Sequence, residues 1–240
     1  MSNDALILRQ LLAGRDFATA DPTAAQMMNF SYLIGSRTSR ECVLVDPAWD
    51  VAGLLAAAAA EDLRVVGALV THYHPDHVGG DLFGLHVEGV AEFLARAAAK
   101  VYVQSHEADG LKQQTGAAES DLARVEGGSV LELDGVKIEF LHTPGHTPGS
   151  QCFLVNGQAL VSGDTLFVEG CGRVDLPGGD SAEMYRTLTE RLAKVPSSAV
   201  LYPGHNYGPA PSRSLAEERR RNLYLLIPTL DAWLKIMNRR

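Results

Sequence analysis

The stretch Val65-Val66-Gly67-Ala68-Leu69-Val70-Thr71-His72-Tyr73-His74-Pro75-Asp76-His77 decides how the rest of the chain is read. An apolar run ends abruptly in three imidazoles and one carboxylate, which predicts a buried strand emptying into a tight polar turn. Imidazole suits borderline divalent metals, and a carboxylate adds negative charge that neutralises them. His72 and His74 lie two apart, so on extended backbone their side chains share one face. Asp76 and His77 fall beyond the bend, where they can face a second ion beside the first. Gly79-Gly80 lets the backbone close tightly before the next element. The competing reading is a polar loop that happens to be rich in histidine. Chance rarely packs these four side chains directly after an apolar strand.

Three further segments repeat the pattern. His142-Thr143-Pro144-Gly145-His146-Thr147-Pro148-Gly149 ends a strand in a rigid turn, Ser162-Gly163-Asp164-Thr165 ends the next, and Tyr202-Pro203-Gly204-His205 ends the last. Four strand ends carrying His, Asp or both are hard to explain by packing alone. Loops at one edge of a scaffold are where sites are usually built.

Around these segments the pattern predicts a β-rich chain with helices between. Leu6–Leu8 reads as a strand, 14–26 as a loop, and Phe30–Ile34 with Glu41–Asp46 as a hairpin. Asp50 is placed to cap an alanine-rich helix over Val51–Glu61. Helices are expected over Val90–Ala99, His106–Gln114 and Ser181–Ala193, with a strand at Lys100–Gln104. Asp134-Gly135 and Asn156-Gly157 mark two hairpin turns, and Ala199–Tyr202 is a last short strand. The end, Ser212–Met237, reads as two helices broken at Pro228, within a helical tail over 210–240. The expectation is an α/β chain forming one domain over 1–240, two β-sheets packed together with helices outside.

Composition narrows the function. With 240 residues the chain readily supports a core, and 46% apolar with 21% charged residues is ordinary for a globular protein. A formal net charge of −8 argues against a nucleic-acid partner. No apolar stretch is long enough to span a membrane. Met1-Ser2-Asn3-Asp4 offers no positive n-region of a leader, and Cys42, Cys152 and Cys171 point to a reducing compartment, so a cytoplasmic location is expected. The oligomeric state stays open at this level, a homo-oligomer included.

The set Thr-His-Tyr-His-Pro-Asp-His, Pro-Gly-His-Thr-Pro-Gly, Gly-Asp-Thr-Leu-Phe and Pro-Gly-His resembles the metallo-β-lactamase superfamily, in order, over roughly residues 5 to 210. The resemblance implies an αββα sandwich of two mixed β-sheets. It implies one metal at His72, His74 and His146 and a second at Asp76, His77 and His205, with Asp164 bridging. Asp46 matches an acidic position that supports the ligands from behind; the competing reading is a cap on the turn at Pro47. Two divalent ions, zinc by preference, held about 3.5–4 Å apart can carry a bridging hydroxide at neutral pH. Asp76 could orient that hydroxide while ligating, so hydrolysis is the expected reaction.

Within the superfamily, Gly163 through Arg173 resembles glyoxalase II and its short relatives, which cleave S-acylglutathione thioesters. That resemblance implies a small-molecule, thiol-derived substrate, with Arg173 on a glutathione carboxylate and Tyr207 beside it. A guanidinium suits a carboxylate because it donates two parallel hydrogen bonds. The bland alternatives are that Arg173 pairs with Asp175 and that Tyr207 packs. Two features depart from the pattern: Asp175 stands where an aromatic contact is expected, and the long helical C-terminal domain is missing. Gly84–Phe93 also looks inserted. Leu8-Arg9-Gln10, Phe30 through Glu41, Cys171-Gly172-Arg173 with Asp175, and Glu217-Glu218-Arg219 resemble persulfide dioxygenases instead. Those imply one iron at His72, His146 and Asp164. Lactone or other ester hydrolysis is a further alternative. Phe83 and Phe167 are expected to wall the pocket, and Tyr73 to point away from its neighbours.

Overall fold

The computed structural model describes residues 5–237; the Met1–Asp4 segment behind the leader argument lies outside them. Strand β1 (Leu6–Leu12) leads to a short helix α1 (Pro22–Met27), then β2 (Phe30–Ser36), β3 (Glu41–Val45), α2 (Val51–Ala60) and β4 (Arg64–Leu69). A one-turn helix α3 (Pro75–Val78) and a small hairpin, β5 (Gly80–Leu82) and β6 (Leu85–Val87), follow. Next come α4 (Val90–Arg96), β7 (Lys100–Gln104), α5 (Ala108–Thr115) and β8 (Leu122–Val125). The second half runs β9 (Val130–Leu133), β10 (Val136–His142), β11 (Gln151–Val155) and β12 (Ala159–Gly163), then a hairpin of β13 (Leu166–Phe167) and β14 (Gly170–Cys171). It ends with α6 (Ser181–Arg186), β15 (Val200–Pro203), β16 (Arg213–Ser214), α7 (Leu215–Arg221) and α8 (Leu230–Met237).

Alternation of side chains explains the layering. The strands form two six-stranded mixed sheets, ordered β1-β2-β3-β4-β7-β8 and β16-β15-β12-β11-β10-β9. In β3, Cys42 and Leu44 face one way and Val43 and Val45 the other, and all four are fully buried. The first pair joins Leu54 of α2, Phe93 of α4 and Leu111 of α5 on the sheet's outer face. The second pair meets Phe140, Phe153 and Val161 of the other sheet. In β11 and β12, Cys152 and Leu160 turn outward onto Met184 of α6, Leu215 of α7 and Trp233 of α8. A strand apolar on both faces must be covered on both, and the αββα sandwich does that twice.

Local chemistry accounts for the elements the pattern missed. Helix α1 forms inside the expected 14–26 loop because the Asp21 carboxylate accepts from the N–H groups of Thr23 and Ala24, and Pro22 opens the helix. The helix expected over Ser181–Ala193 begins as α6 but widens into a π turn over Thr187–Arg191 and tightens into a 3-10 turn over Leu192–Lys194. There the Thr187 hydroxyl donates to Pro144 O at 2.7 Å, turning one helical residue toward the 142–149 segment. Gly84–Phe93 becomes the outer strand of a hairpin and the start of α4. Phe83, expected as a pocket wall, is instead fully exposed at that hairpin's turn.

The two sheets meet where the motifs lie. β3 and β4 run parallel, as do β12 and β15, so their C-terminal ends share one edge. Backbone hydrogen bonds cross between the sheets there, from Gln151 N to Thr71 O (2.9 Å) and from Phe30 N to Gly204 O (2.8 Å). At Gly204 a side chain would collide with Asp164 Oδ1; glycine is what lets the last strand end against the third.

Candidate metal centre

Seven side chains from four strand ends and α3 converge at this edge. Ligand atoms of His72, His74 and His146 lie within 4.8 Å of one another, as do those of His72, His77 and Asp164, and of Asp76, His77 and His205. His74 Nδ1 is 3.0 Å from both His72 Nε2 and His146 Nε2. His77 Nε2 faces His205 Nε2 at 3.2 Å and Asp76 Oδ2 at 3.3 Å. Asp164 stands between the groups: its Oδ1 is 3.4 Å from His77 Nε2, and its Oδ2 is 3.4 Å from His205 and 3.8 Å from His146.

The partners behind these rings fix which nitrogen is free. The Thr71 hydroxyl donates to Asp46 Oδ2 at 2.6 Å, so it can accept from His72 Nδ1, 3.0 Å away. His77 Nδ1 meets the same Asp46 oxygen at 3.0 Å. His146 Nδ1 donates to Arg173 O (2.7 Å) and His205 Nδ1 to Met27 O (2.8 Å), since a carbonyl can only accept. All four rings therefore turn Nδ1 outward to a fixed partner and aim Nε2 into the cluster, the arrangement that orients metal ligands; on His77 and His205 that Nε2 becomes a free lone pair only when its proton leaves. Asp46 meets His77 directly and His72 through Thr71, and its Oδ1 accepts from Thr71 N at 2.8 Å, so both carboxylate oxygens are bonded to the first segment rather than to the turn at Pro47.

A cation fits this donor set. Three nitrogens of the His72, His74 and His146 group face one another, and one proton between two of them leaves a third lone pair facing a lone pair. Asp164 Oδ1 is buried without a hydrogen-bond partner among the described residues, which is costly for a carboxylate unless a positive charge sits beside it. Burial, then the neighbouring imidazoles His77, His74 and His146, push His72 well below its ordinary value. Burial likewise takes His74 down to about 4, so both stay neutral and ready to ligate. For His77 burial acts the same way but is overcome by Asp76 and Asp164, which lift it to about 10. His205 rises well above its ordinary value against burial because Asp164 and Asp76 flank it. Burial works against the charge of Asp76 too, yet His77 and His205 hold its carboxyl well below the usual range.

The remaining expected residues sit at the rim. Arg173 Nε and Nη2 each lie 2.9 Å from an Asp175 oxygen, so its fork is occupied. Tyr207 is half exposed and stacks on the His205 ring, centroids 4.4 Å apart and planes at 10°. Phe167 edges both, 6.0 Å from His205 and 5.7 Å from Tyr207. Tyr73 leans over His74 at 5.2 Å with its hydroxyl toward Pro177 O (3.4 Å), rather than turning wholly away.

Sequence reasoning missed the supports. Asn29 Nδ2 donates to Asp76 Oδ2 at 3.0 Å, and Trp49 Nε1 lies 3.1 Å from both Asn29 Oδ1 and Asp76 O. The fully buried Glu107 carboxylate accepts from Tyr73 N (2.8 Å) and Gly149 N (2.7 Å), tying the first metal-binding segment to the second. Nothing local marks Glu107, an acid at a helix start like many others.

A family model described as the metallo-beta-lactamase superfamily matches residues 25–205. The chain belongs to the metallo-beta-lactamase superfamily. Relatives within the metallo-beta-lactamase superfamily differ in chemistry. The probable polyketide biosynthesis zinc-dependent hydrolase BaeB of Bacillus velezensis is 28% identical, over 88% of this chain and 88% of its own length. Human mitochondrial persulfide dioxygenase ETHE1 is 31% identical, over 87% of this chain and 75% of its own. The hydroxyacylglutathione hydrolase of Polaromonas sp. is 36% identical over 75% of this chain, which spans only 62% of that relative. The crystal structure of ETHE1 from Myxococcus xanthus superposes with a TM-score of 0.78 at 29% identity, covering 97% of this chain and 90% of that one. This superfamily member is thus a metal-dependent hydrolase or oxidoreductase. Among the described residues no helix is long and apolar enough to cross a membrane.

Proposed function

We propose that the chain is a hydrolase that cleaves thioesters of the S-acylglutathione type, working with two divalent ions, zinc in the first instance. The observation that carries this reading is the donor set itself: two complete triads, one on each side of Asp164. In this reading His72, His74 and His146 would hold one ion and Asp76, His77 and His205 the other, with Asp164 placed between the two groups. Bound in pairs, such ions supply a Lewis acid and a nucleophilic water at neutral pH. Asp76 is the proposed catalytic residue, since Asn29 fixes the Oδ2 edge that orients the attacking water. Arg173 takes a substrate carboxylate by exchanging it for Asp175, and the Tyr207 ring walls the thiol side. Residues 1–240 act as one domain, with 210–240 its helical tail.

A second reading, a persulfide dioxygenase with one iron at His72, His146 and Asp164, is favoured by one observation. The human persulfide dioxygenase is matched over 75% of its length, whereas the thioesterase relative is matched over 62%. Metal analysis of the purified protein separates the two, paired with assays of S-lactoylglutathione cleavage and of oxygen uptake with glutathione persulfide. Two zinc equivalents with thioester cleavage support the hydrolase. One iron with oxygen consumption replaces it by the dioxygenase, and neither activity moves the assignment to lactones or other esters.

A further inference from the structure

Helix α7 and the residue that caps its C-terminus carry a buried polar pair with no part in the donor set. Glu218 and Asn222 are both fully buried; their side chains bond to the hairpin of β13 and β14, to each other and to Arg213, and Asn222 Oδ1 also accepts from Tyr224 N at 3.0 Å. Asn222 Nδ2 donates to Phe167 O (3.2 Å) and Gly170 O (3.0 Å), the two carbonyls that flank the hairpin turn. It also lies 3.2 Å from Glu218 Oε2, which accepts from Glu169 N in the turn itself at 2.9 Å. Arg213 closes the ring, its Nη1 donating to Glu169 Oε1 (2.6 Å) and Glu218 Oε1 (3.2 Å). Burying a carboxylate and an amide is costly unless each is fully bonded, as here, so these groups specify a geometry rather than fill space.

The hairpin needs such a hold. Its strands are two residues each, too short to be stable alone. Glu169 in the turn has φ +59, a left-handed conformation that non-glycine residues adopt at a cost. The piece so held carries Phe167, whose ring lies edge-on to His205 and Tyr207. We propose that Glu218 and Asn222 are positioning residues. They grip the 166–171 hairpin from the tail and so set the aromatic wall against which a substrate is held over the donor cluster. The inference deepens the proposed thioester hydrolysis and rests on it only for the kinetic readout.

The test uses the full-length, zinc-loaded chain with 4-fluorophenylalanine incorporated, the Phe167 resonance being assigned with F167L. In N222A, and in E218Q as the milder second variant, that resonance shifts or broadens while metal content stays at the wild-type level. With S-lactoylglutathione, KM rises about tenfold and kcat stays within about twofold, the pattern of lost binding rather than lost chemistry. In an F167A background N222A adds nothing further to KM. An unchanged Phe167 resonance in whichever variant folds overturns the proposal, and so does a KM rise of full size in the F167A background. If the wild type does not cleave S-lactoylglutathione, the thioester reading fails, and the fluorine spectrum alone still decides the positioning role.

Discussion

The two halves of the donor cluster are built from opposite electrostatics. Around His74, three imidazoles face one another and burial keeps His72 and His74 neutral. Around His77 and His205, two carboxylates hold the rings protonated in the metal-free chain. The first half is a cluster of lone pairs awaiting a cation; the second already contains its positive charge, as protons that a cation must displace. The contrast teaches that a metal site need not be poised uniformly. One half favours ready entry, and the other makes loading depend on pH. Asp164 is the carboxylate that lies against both, 3.4 Å from His77 and His205 and 3.8 Å from His146.

The largest effect is therefore expected at Asp164. D164N removes the one carboxylate that approaches both groups. It should empty both halves and lower turnover by roughly three orders of magnitude, several kcal/mol at about 1.4 kcal/mol per decade. Elemental analysis beside turnover checks it. A variant that keeps one full equivalent would break the comparison, because the halves would then load independently of the residue between them.

Acidity tests the contrast directly through the stability of the metal-free protein. His74 is lowered from 6.5 to about 4, so below pH 6.5 the unfolded chain takes a proton that the folded one refuses, and stability falls as pH drops toward 4. His77 is raised from 6.5 to about 10, so its contribution is fully present below 6.5 and is lost as pH rises toward 10. The melting temperature of the metal-free chain should peak near neutrality and decline on both sides. Loading with zinc should flatten the alkaline limb, where no proton remains to be lost from His77. A metal-free profile flat from pH 7 to 10 would show that the second half holds no such proton.

A smaller effect is expected where the two metal-binding segments are tied together. Glu107 offers one oxygen to Tyr73 N and the other to Gly149 N, so E107Q must point an amide N–H at a backbone N–H. Metal affinity should fall about 10–100-fold, the usual cost of disturbing groups behind the ligands. Competition with a chromophoric chelator measures it. The loss should be larger for the half containing His74 and His146, since only their segments are tied by this carboxylate.

Glu107 also marks the limit of what was legible in the sequence. His72, His74, Asp76 and His77 stand together on one turn, and His146, Asp164 and His205 each end an apolar strand, so local pattern sufficed to expect their meeting. The sandwich was legible for the same reason: strands apolar on both faces demand cover on both. Glu107, Asn29 and Trp49 act through contacts 20 to 47 positions away along the chain, and no local period encodes such a partner. Helix α1 was hidden because a six-residue helix is set by its Asp21 cap rather than by an amphipathic stripe. Phe83 looked like a wall because it follows the metal turn closely, but the hairpin carries it outward into solvent.

The smallest effect belongs to the rim, where neither half of the cluster acts directly. Arg173 and Asp175 form a forked pair at 2.9 Å, with their side chains 64% and 54% exposed. An exposed pair of this kind is worth about 0.2–1 kcal/mol, because water and salt screen it and two long side chains must be ordered. A substrate carboxylate that takes Arg173 must displace Asp175, so D175A should lower KM for S-lactoylglutathione by about two- to fivefold at low salt. Turnover number should change little, since Asp175 acts on the substrate through the Arg173 fork at the rim. R173A should raise KM, and its combination with D175A should match R173A alone, because Asp175 has nothing to compete for once the guanidinium is gone. Raising ionic strength weakens the internal pair and the substrate contact together, so the advantage of D175A should shrink toward nothing. A D175A enzyme with a higher KM would mean that Asp175 holds Arg173 in its working orientation, and the rim would then be as preorganised as the cluster beneath it.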